Sequence, residues 1–204
     1  MRRQYIAKIS SLIVGVSSIL VMVGWSFDIA VLKSISSDFV AMKFVTAICF
    51  FLSAISLYFI AKALEGEIEK AQIALSITSL IIIMLMGTLF FSTIFGVRTG
   101  IEELFVREVP GTVKTIIPGF PSISTIFSFM LLVSASILTM LTARNLRIKL
   151  TVLGLLIGII GLLALVGYIT NSPPLYYFIK GINTAMALNT SILFILLGTG
   201  LLCL

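Results

Sequence analysis

Few residues in this 204-residue chain could carry chemistry, and their types exclude more than they permit. There is no histidine, and there are only two cysteines, Cys49 and Cys203, and two aspartates, Asp28 and Asp38. Without imidazole, the common ligand sets for haem, zinc and copper are missing, as is the commonest general acid–base. Both aspartates fall in one short stretch, DIAVLKSISSD, which does not suit an intramembrane aspartyl protease. No lysine interrupts the last three apolar runs, so a retinal-type Schiff base has no anchor there. The expectation is a chain that is not an enzyme, with no cofactor, no metal site and no catalytic residue. Cys49 and Cys203 lie in apolar runs near opposite membrane faces, without polar activators. They are expected as buried thiols rather than as a disulfide or a redox pair.

What the chain does repeat is a phrase of a different kind. Residues 42–50 read MKFVTAICF, residues 121–129 read PSISTIFSF and residues 186–194 read MALNTSILF. In each, a Thr stands four positions after the first residue and a Phe four positions after that. Thr46, Thr125 and Thr190 form one column; Phe50, Phe129 and Phe194 form another. Four positions on a helix is one turn down the same face. The hydroxyl can bond backbone groups left free in a first helical turn, as an N-cap or by bonding back to a carbonyl. The phrase is therefore expected to seat a helix at its N-terminus.

The elements that position these residues follow from hydropathy. The chain is 59% hydrophobic and 11% charged, with a mean hydropathy of +1.22. Soluble domains carry roughly 25% charged residues. The net charge of +6 is dispersed between apolar runs, which fits membrane topology and not nucleic acid. Charge-free stretches cover 9–27, 44–61, 71–97, 115–143, 150–179 and 181–204. A crossing takes about 20 residues, so the pattern predicts a single domain, 1–204, of six transmembrane helices. Their expected bounds are 8–26, 43–62, 72–95, 123–143, 150–169 and 186–204. The first run, with 19 charge-free residues, exceeds a signal-peptide core and has no A-x-A-like site after it.

Arg2, Arg3, Lys8, Lys62, Lys70, Arg144, Arg147 and Lys149 fall in short segments on one side. Lys33, Lys43, Arg98, Arg107, Lys114 and Lys180 spread over longer segments on the other. The denser side should be cytoplasmic, with both termini and the loops around Glu67 and Arg147. Ser37, Thr112 and Ser172 should be outside, in the plasma membrane of the cell. Lys43, at a boundary, is expected to snorkel. Each odd helix ends near a glycine, at Gly24, Gly96 or Gly167, and the phrase follows. The chain thus reads as three parallel helical-hairpin repeats, about 8–62, 72–143 and 150–204.

The outer segments are amphipathic. Ile29, Leu32, Ile35 and Phe39 recur at helical spacing between Asp28, Lys33 and Asp38, and IEELFVRE and PPLYYFIKGI are shorter versions. Such segments suit short helices lying in the headgroup region. Trp25, Tyr176 and Tyr177 stand there, as interfacial anchors or as outer-face candidates for binding a ligand. Gly154, Gly158 and Gly161 share one face of a helix, where small residues permit close packing. That face is expected to pack within the chain, with a homodimer as the alternative.

These residues carry a family resemblance. GWSFDIAVLKSISSDFVAMKFVTAICFFLSAISL resembles the opening of the multi-pass N-terminal membrane sensor region of bacterial and archaeal sensor histidine kinases, and GYITNSPPLYYFIKGINTAMALNTSILFILLGTGLL resembles its closing hairpin. Its phrase M-x-x-N-T-A/S-x-x-F-x-L-x-G is matched by Met186, Asn189, Thr190, Phe194, Leu196 and Gly198. The first copy keeps Met42, Thr46, Ala47, Phe50 and Leu52, with Val45 in place of Asn; the middle copy keeps Thr125 and Phe129. The resemblance implies a sensory module that signals to a cytoplasmic kinase or cyclase partner. Relatives continue into a linker and a kinase; this sequence stops at LLCL and is expected to be the sensor part or a stand-alone remnant. A small channel or carrier for a neutral solute, or a structural subunit of a membrane complex, is the alternative.

Overall fold

The computed structural model describes residues 2–35, 39–101, 104–105, 119–177 and 184–204. The described elements are all helical: α1 (Arg2–Ser26), α2 (Ala30–Lys33), α3 (Phe44–Leu64), α4 (Ile68–Phe95), α5 (Ile123–Met140), α6 (Leu146–Ile169), α7 (Pro173–Tyr176) and α8 (Leu188–Leu202). Five of them, α1, α3, α4, α5 and α6, are long and apolar enough to cross a membrane. The chain is a multi-span, all-α membrane protein.

The sixth expected crossing falls short. α8 has 15 residues, about 22 Å at 1.5 Å per residue, against a hydrocarbon core of about 30 Å. The cause is local. Residues 184–187 are not helical, and Ala187 is extended at φ −67, ψ 150, so the helix begins at Leu188 and not at Met186. α5 ends at Met140, before the expected boundary at 143. Thr142 turns to φ 46 and the Ala143 amide closes back on the Leu138 carbonyl at 3.1 Å. The expected amphipathic outer helices are single turns, α2 and α7, each four residues long. Ser34 is already extended, so Ile35 and Phe39 do not continue the face begun by Ile29 and Leu32. Most of IEELFVRE lies outside the described residues.

Long and short helices alternate. α3, α5 and α8 have 21, 18 and 15 residues, while α1, α4 and α6 have 25, 28 and 24. The shorter set is central. α1 packs on α3 and α8, α4 on α3 and α5, and α6 on α5 and α8, so each long helix bridges two short ones. Lipid gives apolar side chains no reason to hide, so close contact and polar bonds choose the inward faces. Small hydroxyl residues therefore face inward. Ser53, Ser56, Ser79, Ser128, Ser136 and Thr139 are buried, while Ile73, Ile77, Met84, Leu155 and Leu162 are exposed. Ser56 Oγ and Thr78 Oγ1 meet at 2.8 Å between α3 and α4. Ser53, Ser128, Ser136 and Thr139 donate to carbonyls one turn back.

At the end bearing the N-terminus, here the near end, Lys8 of α1 pairs with Glu65 at 2.7 Å and Lys62 with Glu67 at 2.6 Å. The hydrogen bond from Lys62, followed by its charge, holds the Glu67 carboxyl below its ordinary range. These pairs are in part solvated and pin the α3–α4 turn at little net gain. The opposite end, the far end, holds the three phrases.

Candidate functional site

Three central helices start at the same position of the repeated phrase. α3 begins at Phe44, α5 at Ile123 and α8 at Leu188, in each case two residues after the first phrase residue. Their N-cap residues, Lys43, Ser122 and Ala187, share one backbone conformation, with φ −68, −66 and −67 and ψ 147, 153 and 150. Each phrase thus enters the bundle extended and turns into helix at the same point. The entering segments are buried: Val40, Met42, Lys43, Phe120, Ser122, Thr184, Ala185 and Met186 are all under 5% exposed. Non-helical backbone is tolerated at such depth only where protein or a polar cavity surrounds it.

One turn into each helix the Phe column converges. Phe50, Phe129 and Phe194 are fully buried, and their ring centroids form a triangle with sides of 4.9, 4.7 and 5.0 Å. The interplanar angles of 66°, 51° and 63° favour edge-to-face contact. The rings fill the middle of the bundle where α3, α5 and α8 meet.

Above the rings, toward the far end, lies a cavity of about 10 Å³, room for one water-sized particle. Thr46, Thr125 and Thr190 all line it, with Lys43, Ser122 and Thr184. The threonines do not cap their helices. At α5 the cap is Ser122, whose Oγ accepts the Thr125 amide at 3.1 Å and lies 2.7 Å from Thr125 Oγ1. Lys43 and Ala187 cap nothing with their side chains. The Thr190 amide donates to Asn189 Oδ1 at 3.1 Å. The Thr46 hydroxyl is buried with no hydrogen-bond partner among the described residues. Lys43 does not snorkel; at 4% exposure it is part of the wall.

The far-end elements hold this end by a motif that recurs. Trp25 Nε1 donates to the Met42 carbonyl at 2.8 Å, and Tyr168 Oη donates to the Met186 carbonyl at 2.8 Å. Both acceptors are first residues of a phrase. The Ile29 amide bonds the Gly24 carbonyl and the Ser172 amide the Gly167 carbonyl, both at 2.8 Å, with Asp28 and Asn171 left-handed at φ 54 and 51. Asp and Asn tolerate that conformation. At the end of α4 the same closure runs from the Val97 amide to the Ser92 carbonyl, with Gly96 left-handed at φ 65. Gly96 is therefore the counterpart of Asp28 and Asn171, and Ser92 is that of Gly24 and Gly167. This corrects the expected equivalence of the three glycines. A glycine was visible in the sequence at each helix end, but two serve close packing and one serves the turn.

The aromatic candidates have internal partners. Trp25 is half-buried, with Lys33 Nζ 4.8 Å from its ring. Lys33 also pairs with Asp28, and its hydrogen bond and charge hold that carboxyl below its usual range. Tyr176 is buried rather than open to solvent. It is 3% exposed and stacks on Tyr168 at 4.5 Å, with Tyr177 5.2 Å away. Burial raises the Tyr177 phenol, with a smaller effect from Tyr176. Asn189 ties the third phrase to the segment at α2 through a 3.2 Å bond from Nδ2 to the Lys33 carbonyl. Sequence reasoning missed Tyr168, Ser122 and Thr184. Tyr168 was findable, since it follows Gly167 as Trp25 follows Gly24.

The glycine face of α6 lies on α8. A Cβ at Gly154 would meet the Gly198 carbonyl oxygen at 2.7 Å, and one at Gly161 the Ser191 oxygen at 2.7 Å; Gly158 has more room, with Gly198 Cα at 4.0 Å. This face is taken up inside the chain and is not open to a second copy. Cys49 and Cys203 are both free thiols, Cys49 buried. Among the described residues no cluster of three His, Cys, Asp or Glu could hold a metal.

The two far-end bonds make a prediction. Trp25→Phe and Tyr168→Phe should each cost about 1 kcal/mol, the net worth of one buried hydrogen bond. Tyr5→Phe, at an exposed near-end position, should cost nothing measurable. Thermal unfolding in detergent ranks the three, and equal midpoints would remove the motif as a stabilising device.

Comparison with protein-family models, with curated proteins and with solved structures finds no match.

Proposed function

We propose that this chain is a membrane sensory module, built as three copies of one helical hairpin about a pseudo-threefold axis, that relays a far-end or bilayer stimulus to a cytoplasmic partner through α8. The observation that carries the reading is the Phe50–Phe129–Phe194 triangle, which closes the axis directly beneath the polar chamber. A chamber that ends on a packed plug suits holding a ligand better than passing one. α8 is the natural output. Its first turn touches the chamber through Thr190, its second turn places Phe194 in the plug, and Leu201 and Leu204 lie at the near end. A stimulus shifts such a bundle only by binding one arrangement better than another. Both termini are assigned to the cytoplasm on the dense Lys and Arg of the near end. The resemblance to histidine-kinase sensor regions supports a kinase or cyclase as the partner, and the chain itself performs no catalytic step.

The test fuses residues 1–204 to a kinase reporter in cells and measures output as bilayer thickness and external solutes vary. In parallel, the purified chain in liposomes is assayed for uptake of neutral solutes. Output that changes with conditions, and liposomes that stay tight, are expected. Constant output together with solute flux would replace the sensor reading with the carrier reading.

A further inference from the structure

We propose that the far-end chamber is a binding site for one small monovalent anion, of halide size. This deepens the sensory reading and rests on taking the chamber as the receiving site. Three helices, α3, α5 and α8, direct their N-termini at one small space. The first amides of a helix have no partner within it, and each N-terminus acts as about half a positive charge. Anions bind at such termini routinely, and here three converge where one would suffice to attract.

The independent observation that points to a ligand is Thr46. Thr46 is a wall residue of the chamber and 98% buried, and its hydroxyl has no hydrogen-bond partner among the described residues. Many Ser and Thr hydroxyls in this bundle bond a carbonyl one turn back, as Ser53 does to Cys49 and Thr78 to Ala74; Ser79 shares the unpartnered state of Thr46 but does not line the chamber. For Thr46 that carbonyl belongs to Met42, and it already accepts Trp25 Nε1. The hydroxyl is left as a donor in a buried space, a situation that costs free energy unless something accepts from it. Thr125, Thr190 and Thr184 add further hydroxyls to the wall. A donor-rich wall under three positive helix ends selects an acceptor that carries negative charge, and disfavours a cation or a neutral donor. The volume, about 10 Å³, restricts the ligand to a single atom or a water-sized group. Fluoride fits that space as it stands, and chloride fits with a small outward shift of the wall.

The experiment titrates the purified full chain with sodium chloride and sodium fluoride against sodium gluconate at constant ionic strength. It follows the thermal midpoint and, for chloride, the ³⁵Cl linewidth. The expected result is a saturable rise in midpoint and line broadening with halide alone. Thr46→Val should weaken binding by at least about tenfold, in the range of one lost charge-assisted hydrogen bond, with Thr46→Ser restoring it. Thr46→Val removes an unpartnered hydroxyl, so its fold should persist, and its unfolding midpoint in gluconate checks that. Identical curves for halide and gluconate, or unchanged halide binding in Thr46→Val, would overturn the site. Halide binding with a fused reporter that answers to neither halide nor bilayer thickness would sink the sensory reading and leave the site standing. Reporter output that varies while halide fails to bind would do the reverse.

Discussion

Phe194→Ala is expected to lower the unfolding midpoint by about 6–12 °C, the shift that corresponds to about 3 kcal/mol in a chain of this size. Phe-to-Ala truncations in packed cores cost about 3–5 kcal/mol. The lower end applies here, because lipid returns part of the apolar transfer term and leaves mainly the lost contacts. Phe194 meets both Phe50 and Phe129 within 5.0 Å and is fully buried, so the void cannot be filled from one side. Phe127 supplies the control. It lies two residues before Phe129 on the same helix, but it is 55% exposed, and its truncation should cost under about 0.5 kcal/mol. The three rings touch one another, so the triple alanine variant should cost less than the sum of the singles. Equal midpoints for Phe194→Ala and Phe127→Ala would show that the triangle does not hold the bundle.

Gly198→Ala is the second large effect. A Cβ there would fall 2.6 Å from the Gly154 oxygen, 2.7 Å from the Gly158 nitrogen and 2.8 Å from the Gly158 Cα. All three are backbone atoms, so no side chain can rotate aside and the two helices must part. Overpacking of this kind costs about 1–3 kcal/mol. In this chain it would also move α8, the proposed output. Gly161→Ala should behave alike, since its Cβ would meet the Ser191 oxygen at 2.7 Å. Gly158→Ala should be tolerated, with only Gly198 Cα at 4.0 Å, and a gain in helix propensity of up to about 1 kcal/mol offsets any crowding. The reporter fusion should therefore be altered by Gly198→Ala and Gly161→Ala but unchanged by Gly158→Ala. A series in which Gly158→Ala is as harmful as Gly198→Ala would contradict the α6–α8 contact.

The membrane class and most helix bounds were legible because charge marks the ends of apolar runs so sharply. α3 and α5 begin within a residue of their expected positions, since Lys43 and Pro121–Ser122 punctuate the sequence there. The inward faces were not legible. Ile, Leu and Val surround these helices on every side, so no apolar stripe tells core from lipid. The signal that did carry this information was the opposite one, the positions of Ser and Thr. Ser53, Ser56, Ser128 and Ser136 all point inward. The column of threonines was visible, but its role was not. An N-cap or a bond back to a carbonyl was the expectation from position alone; at α5 the cap is Ser122 instead, and at Thr46 the carbonyl one turn back already accepts from Trp25. The shortness of α8 could not be read either. Nothing polar separates Met186 from Leu188, and only burial of an extended segment sets where the helix starts.

The relay from chamber to near end can be measured directly as a distance. Spin labels at Cys203 and at Glu69→Cys, with Cys49 replaced by serine, report α8 against the start of α4 by electron–electron resonance. The chain is held in nanodiscs of short and long acyl chains, with and without chloride. Two discrete distances whose populations shift with lipid length or halide are predicted. A single distance, unmoved by any of these conditions, would contradict the claim that α8 carries the signal.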